Sequence, residues 1–120
     1  MPFFLAMPKI SLDFETRSGE DLLKVDTYRY AAHPDAEVLI LAVKEGLLTD
    51  DTPLLSWDVR KPHNEAVALL RLAIEFNWEI HAFNSGFEWS FLKYVCPRQF
   101  GFAIPDINNI RCTQAPVSYT

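Results

Sequence analysis

The sequence predicts an α/β protein in which helices pack on a mixed β-sheet. Three observations carry this expectation. Lys9–Glu15 (KISLDFE) alternates apolar and polar residues. Glu37–Val43 (EVLILAV) is a nearly continuous apolar run with β-branched members. Beyond residue 60, two amphipathic helical patterns alternate with short strand-like segments. The predicted order is β, β, β, α, β, α, β.

The first strand is justified by its period. Ile10, Leu12 and Phe14 face one way and Ser11, Asp13 and Glu15 the other, because side chains alternate along a strand. Ser18-Gly19 breaks it, Glu20–Lys24 is compatible with a helical turn, and Thr27–His33 is ambiguous. The apolar run at 37–43 reads as a buried strand. Gly46–Pro53 is a turn region, and Leu54–Trp57 follows as a strand antiparallel to the last.

His63–Phe76 reads as a helix. Val67, Leu70, Ala73 and Ile74 fall at i, i+3 and i+4 spacings, Asn64 is a suitable N-cap, and Asn77 ends it. Trp78–Phe83 is a short strand. A second helix starts at Ser85, with Phe87, Phe91, Tyr94 and Val95 on one stripe, and Pro97 is expected to stop it. Ile107–Cys112 is the last expected strand.

The chain has 120 residues, 49% hydrophobic and 22% charged, so one domain (residues 1–120) with its own core is expected. Eleven basic against sixteen acidic side chains give a net charge of −5, which argues against nucleic-acid binding by a basic patch alone. It leaves nucleases open, since carboxylates that bind metal add negative charge to the free protein. Cys96 and Cys112 are far apart and form no CxxC pair, as expected of idle thiols in a reducing compartment. The PFFLAM start lacks a basic n-region, and no stretch approaches the roughly 20 apolar residues of a membrane span. These features predict a soluble, cytoplasmic protein without membrane contact.

Asp13 and Glu15 are the residues most suggestive of chemistry. On one strand face they lie about 6–7 Å apart at the α-carbon. Two like charges that close oppose each other's ionisation unless a cation intervenes. A pair of divalent ions resolves the conflict and carries out phosphoryl chemistry. The plainer reading is a solvent-facing strand edge with two acids. Glu88 also has two readings: Ser85-Gly86-Phe87-Glu88 fits the S-x-x-E capping box, and the same acid at a helix start can turn toward a metal. His81 is read as structural, His33 and His63 as surface or turn residues, and Trp57, Trp78 and Trp89 as packing aromatics.

ISLDFETRS, followed by TYRYAAHPDAEVLILAV, resembles the opening of the DEDD-type (DnaQ-like) 3′–5′ exonucleases. The similarity is greatest to the exonuclease domains of phage-associated, polymerase I-type DNA polymerases. HAFNSGFE (His81–Glu88) is similar to the second family motif, with one extra residue between His81 and Asn84, and Arg111-Cys112-Thr113 is similar to a stretch after the next strand. The resemblance implies an RNase H-like fold and a metal-dependent 3′–5′ exonuclease of the proofreading type. Its substrate would be the 3′ end of single-stranded DNA and its ions Mg²⁺ or Mn²⁺. It implies that Asp13, Glu15 and Glu88 are the catalytic metal ligands, and that Thr16, Asn84 and Phe87 shape the substrate pocket. For a phage-encoded protein the compartment would be the host cytoplasm.

The third family motif, a helix with Tyr or His followed by Asp, has no counterpart here. No acid lies beyond Asp106, and only Thr120 follows Tyr119. The domain is therefore expected to be incomplete, lacking its last helix and leaving an apolar face for a partner. The second ion should bind weakly. A polymerase domain or a second chain would supply the missing group. The alternative is an exonuclease-derived module without catalysis, which binds a protein partner or nucleic acid.

Overall fold

The computed structural model describes residues 8–20, 25–82 and 85–112. Five strands form one mixed sheet in the order β3-β2-β1-β4-β5. They are β1 (Lys9–Arg17), β2 (Glu37–Glu45), β3 (Leu55–Asp58), β4 (Glu79–Ala82) and β5 (Ile110–Cys112). β1 pairs antiparallel with β2 and parallel with β4; β2–β3 is antiparallel and β4–β5 parallel. The helices are α1 (Thr27–Ala32), α2 (Glu65–Glu75), α3 (Ser85–Tyr94) and α4 (Cys96–Phe100), with a 3₁₀ turn at Ile107–Asn109. This mixed α/β architecture is compatible with an RNase H-like fold.

The alternation expected of β1 holds. Ile10, Leu12 and Phe14 are buried, whereas Asp13 and Glu15 are exposed. The apolar side joins Leu70 of α2, Phe91 of α3 and Cys96 of α4 in a single core. Hydrophobic burial of this face is what holds the helices to the sheet. In α2, Val67, Leu70, Ala73 and Ile74 are all buried, and the Asn64 side chain accepts a hydrogen bond from the Ala66 amide as the cap.

β2 differs from the expected fully buried strand. Val38, Leu41 and Val43 are buried, but Leu39, Ile40 and Ala42 are only half-buried. A sheet with helices on one side leaves the alternate residues of even an apolar strand partly open. On that side the 46–54 segment crosses over β1 and β2. Ser11 Oγ donates to the Gly46 carbonyl, and the buried Lys44 ammonium donates to the carbonyls of Leu48 and Asp50. Gly46 turns the chain at φ +85°, where a side chain would also strike Asp50.

One open segment is settled and two further expectations are corrected. Thr27–Ala32 is a helix, capped by Asp26, whose side chain accepts from the Arg29 amide. Six residues are too short to display a helical period, so the cap was its one local signal. Pro97 does not end the helical region: α3 stops at Tyr94, and Pro97 stands in the first turn of α4, where its missing N–H costs nothing. Of Ile107–Cys112, the first three residues are 3₁₀ and only the last three are strand. The expected turn at Glu20–Lys24 lies largely outside the described residues, as do the end of the Trp78–Phe83 strand and Asn84.

Candidate active site

Asp13 and Glu15 stand on the central strand, on the face that the core does not use. Asp13 is in register with Ala42 and Glu15 with Ile40, so small and apolar neighbours on β2 leave both carboxylates open. Among the described residues, neither acid is in an ion pair. The other acids nearby are engaged. Glu37 accepts from Arg17, Asp58 from Arg60, and Glu79 from His81 with Arg111 beyond it. The Arg60 guanidinium lowers the Asp58 carboxyl to about 2. The His81 hydrogen bond, with Arg111 behind it, also lowers Glu79.

Two shallow cavities flank the acid pair. One of about 330 Å³ lies beside Asp13, between Ser11, Ala42, His81 and the exposed Leu48 and Leu54. The other, of about 340 Å³, lies beside Glu15 and reaches Ile40, Asp58 and Arg60. Both volumes fall near the lower end of the range for small-ligand sites.

The β1–β2 register slips between Glu15 and Thr16, where Leu39 of β2 is the extra residue, so the pairing partner of β1 is bulged beside the acid pair. Bulges of this kind re-aim side chains and occur next to active sites. Thr16 is half-buried, and its Oγ1 lies 3.4 Å from the Tyr30 hydroxyl.

Glu88 is placed differently. It lies in the first turn of α3 and is only 2% exposed. A carboxylate there sits in the favourable field of the helix N-terminus. Phe87, half-buried, stacks on Phe91 with ring centroids 5.0 Å apart. Asn84 and the Ser85 side chain lie outside the described residues, and with them the cap geometry. Among the described residues, no group of three or more His, Cys, Asp or Glu side chains is gathered to hold a metal ion. The structure thus brings Asp13 and Glu15 together and does not gather Glu88 with them into such a group.

Two residues near the pair gain a place that the sequence reading did not give them. His81, read as structural, has its Nε2 3.0 Å from Glu79 Oε1 and borders the cavity beside Asp13. Its register opposite Ser11 on a parallel strand is the reason. Tyr30 is the other, hidden in a segment with no clear period. His63 rests edge-on against buried Trp57, and His33 accepts from the Asp35 amide, as surface and turn residues.

The acid pair is made of hard oxygen donors. That set suits a Mg²⁺-type ion, which binds through one or two carboxylates and keeps several waters or substrate oxygens. It does not make a closed cage by itself. Among the described residues, no helix is long and apolar enough to cross a membrane.

No protein-family profile matches the chain, and no solved structure matches it. A DNA polymerase of Bacillus phage SP02 is 39% identical over 67 residues, a match covering 52% of this chain. The chain spans only 10% of that polymerase's length, so what the comparison supports is an origin related to a phage DNA polymerase.

Proposed function

We propose that this chain carries part of a metal-dependent 3′–5′ exonuclease site of the proofreading type, acting on the 3′ end of single-stranded DNA. The observation that carries the reading is the exposed couple Asp13 and Glu15 on the central strand, in no ion pair among the described residues, with a slip in the β1–β2 register directly after it. The similarity to a phage DNA polymerase supports the same reading. Asp13 and Glu15 would hold Mg²⁺ or Mn²⁺ together with substrate oxygens, and Glu88 is the third candidate ligand. When bound, such ions polarise the scissile phosphodiester and offset its charge in an in-line displacement.

The protein's own contribution is positioning. The two cavities give a strand of nucleotides room on either side of the acids. Thr16, directly after the register slip, and Phe87 would border the terminal nucleotide; Asn84, outside the described residues, is the third residue proposed to shape the pocket. The net charge of −5 makes the free protein a poor electrostatic trap for DNA, so the ions would have to offset it. A polymerase domain or a second chain is the proposed source of a further ligand. The second reading, a module without catalysis, is favoured by one observation: no three-acid group is assembled among the described residues.

Cleavage of a 5′-labelled single-stranded oligonucleotide with Mn²⁺, beside Asp13→Ala, tests the proposal. A ladder of shortened products that vanishes in the variant is expected. Equal cleavage by both proteins, or none by either, would refute exonuclease action by this chain, and oligonucleotide binding without cleavage would establish the second reading.

A further inference from the structure

The candidate acids sit on two elements, Glu15 on β1 and Glu88 on α3. The side chain that touches the neighbours of both is on neither. Tyr30 of α1 places its hydroxyl 3.4 Å from Thr16 Oγ1, the residue after Glu15. Its ring lies 6.1 Å from Phe87, the residue before Glu88, and 5.9 Å from Phe91 one turn on. Phe87 and Phe91 are themselves stacked, so the ring meets a preformed aromatic wall.

α1 is also clamped to the strand exit. Ser18 Oγ donates to the Tyr30 carbonyl at 2.7 Å. Gly19 packs so closely on His33 that an added Cβ would lie 2.3 Å from the imidazole. α1 is therefore fastened to the exit end of β1, and Tyr30 extends that unit to the first turn of α3. The hydroxyl contact is long for an O–H···O bond, so the ring packing does most of the holding.

We propose that Tyr30 is a positioning residue of the candidate metal site, holding the first turn of α3, which carries Glu88, against the exit of the strand that carries Asp13 and Glu15. The proposal rests on the metal-site reading above. It follows the general pattern in which groups behind the ligands fix their orientation, and loss of such a group weakens metal binding about 10–100-fold.

The test is Mn²⁺ titration of the full chain, following the free-ion EPR signal, with thermal unfolding as a fold check. Wild type is compared with Asp13→Asn, Tyr30→Phe, Tyr30→Met, Phe87→Leu and Tyr94→Leu. Tyr30→Met keeps bulk but loses ring and hydroxyl; affinity should fall about tenfold or more. Tyr30→Phe keeps the ring and should stay within about threefold of wild type, given the long hydroxyl contact. Tyr94, which meets Tyr28 edge-on between α3 and α1, is the control for ordinary destabilisation, and Tyr94→Leu should bind as wild type does.

Should Tyr30→Met fail to fold, Phe87→Leu cuts the same bridge from the other side and should lower affinity alike. Wild-type affinity in Tyr30→Met or, in its place, in Phe87→Leu overturns the proposal and leaves the metal site standing. An equal loss in Tyr94→Leu also overturns it, since the effect would then be general. If wild type and Asp13→Asn bind Mn²⁺ alike, the metal-site reading itself fails, and this inference with it.

Discussion

Phe91→Ala should remove most of what fastens α3 to the sheet. Phe91 is fully buried, with ring centroids 6.4 Å from Phe14, 5.9 Å from Tyr30 and 5.0 Å from Phe87. It is held by β1, by α1 and by its own helix, so the surroundings cannot easily collapse into the gap. Truncation of a buried Phe costs about 3–5 kcal/mol, and a site locked on three sides belongs in the upper half, about 4 kcal/mol. Total stabilities are only about 5–15 kcal/mol, so the variant would stand near the edge of folding. With a urea slope of about 1–3 kcal/mol per M, the midpoint should drop by about 1–4 M. Phe91→Leu retains much of the volume and should cost less than about 1.5 kcal/mol. Urea unfolding followed by tryptophan fluorescence and by circular dichroism measures both. A cost below about 1.5 kcal/mol for Phe91→Ala, with an unchanged slope, would refute the packing argument and with it the anchoring of α3 that the candidate site needs.

Two further predictions concern titration and reactivity. Asp58, held by Arg60 through two side-chain contacts, should titrate at about 2 by NMR, and Arg60→Ala should move it toward the ordinary 3.8. The sign follows from the lowered folded-state value: the pair's small contribution is present above the ordinary carboxylate range and is lost as pH falls from about 4 toward 2. A wild-type midpoint at the ordinary value would contradict the geometry. Of the two thiols, Cys112 is exposed, whereas Cys96 is fully buried and burial pushes its thiol well up. One thiol, Cys112, should react quickly with a disulfide reagent in native conditions, and Cys96 only on unfolding; two rapid equivalents would show that α4 does not hold Cys96 in the core.

The local patterns that were legible in the sequence are those with a period or a cap. β1 shows its two faces because apolar and polar residues alternate strictly, so Asp13 and Glu15 could be placed on one face before any fold was known. α2 was legible through Val67, Leu70, Ala73, Ile74 and the Asn64 cap, which are local features of one helix. The order of elements, strands first and alternation after, was enough for a mixed sheet with helices upon it.

What the tertiary structure alone decided is where separate segments meet. The slip after Glu15, with Leu39 of β2 as the extra residue, depends on how the two strands pair, which no property of β1 specifies. The pairing of His81 with Glu79 beside the Asp13 cavity depends on β4 lying parallel to β1. The role of α1 was hidden because six residues carry too little periodicity, and its helix gains meaning only when Tyr30 meets Thr16 on one side and Phe87 on the other. Glu88 illustrates the same division. Its place at a helix start follows from the local sequence, but its near-complete burial is set by how α3 packs, through Phe91, on β1. Periodicity reports which face of an element is apolar; the distance between two elements depends on contacts that are remote in sequence.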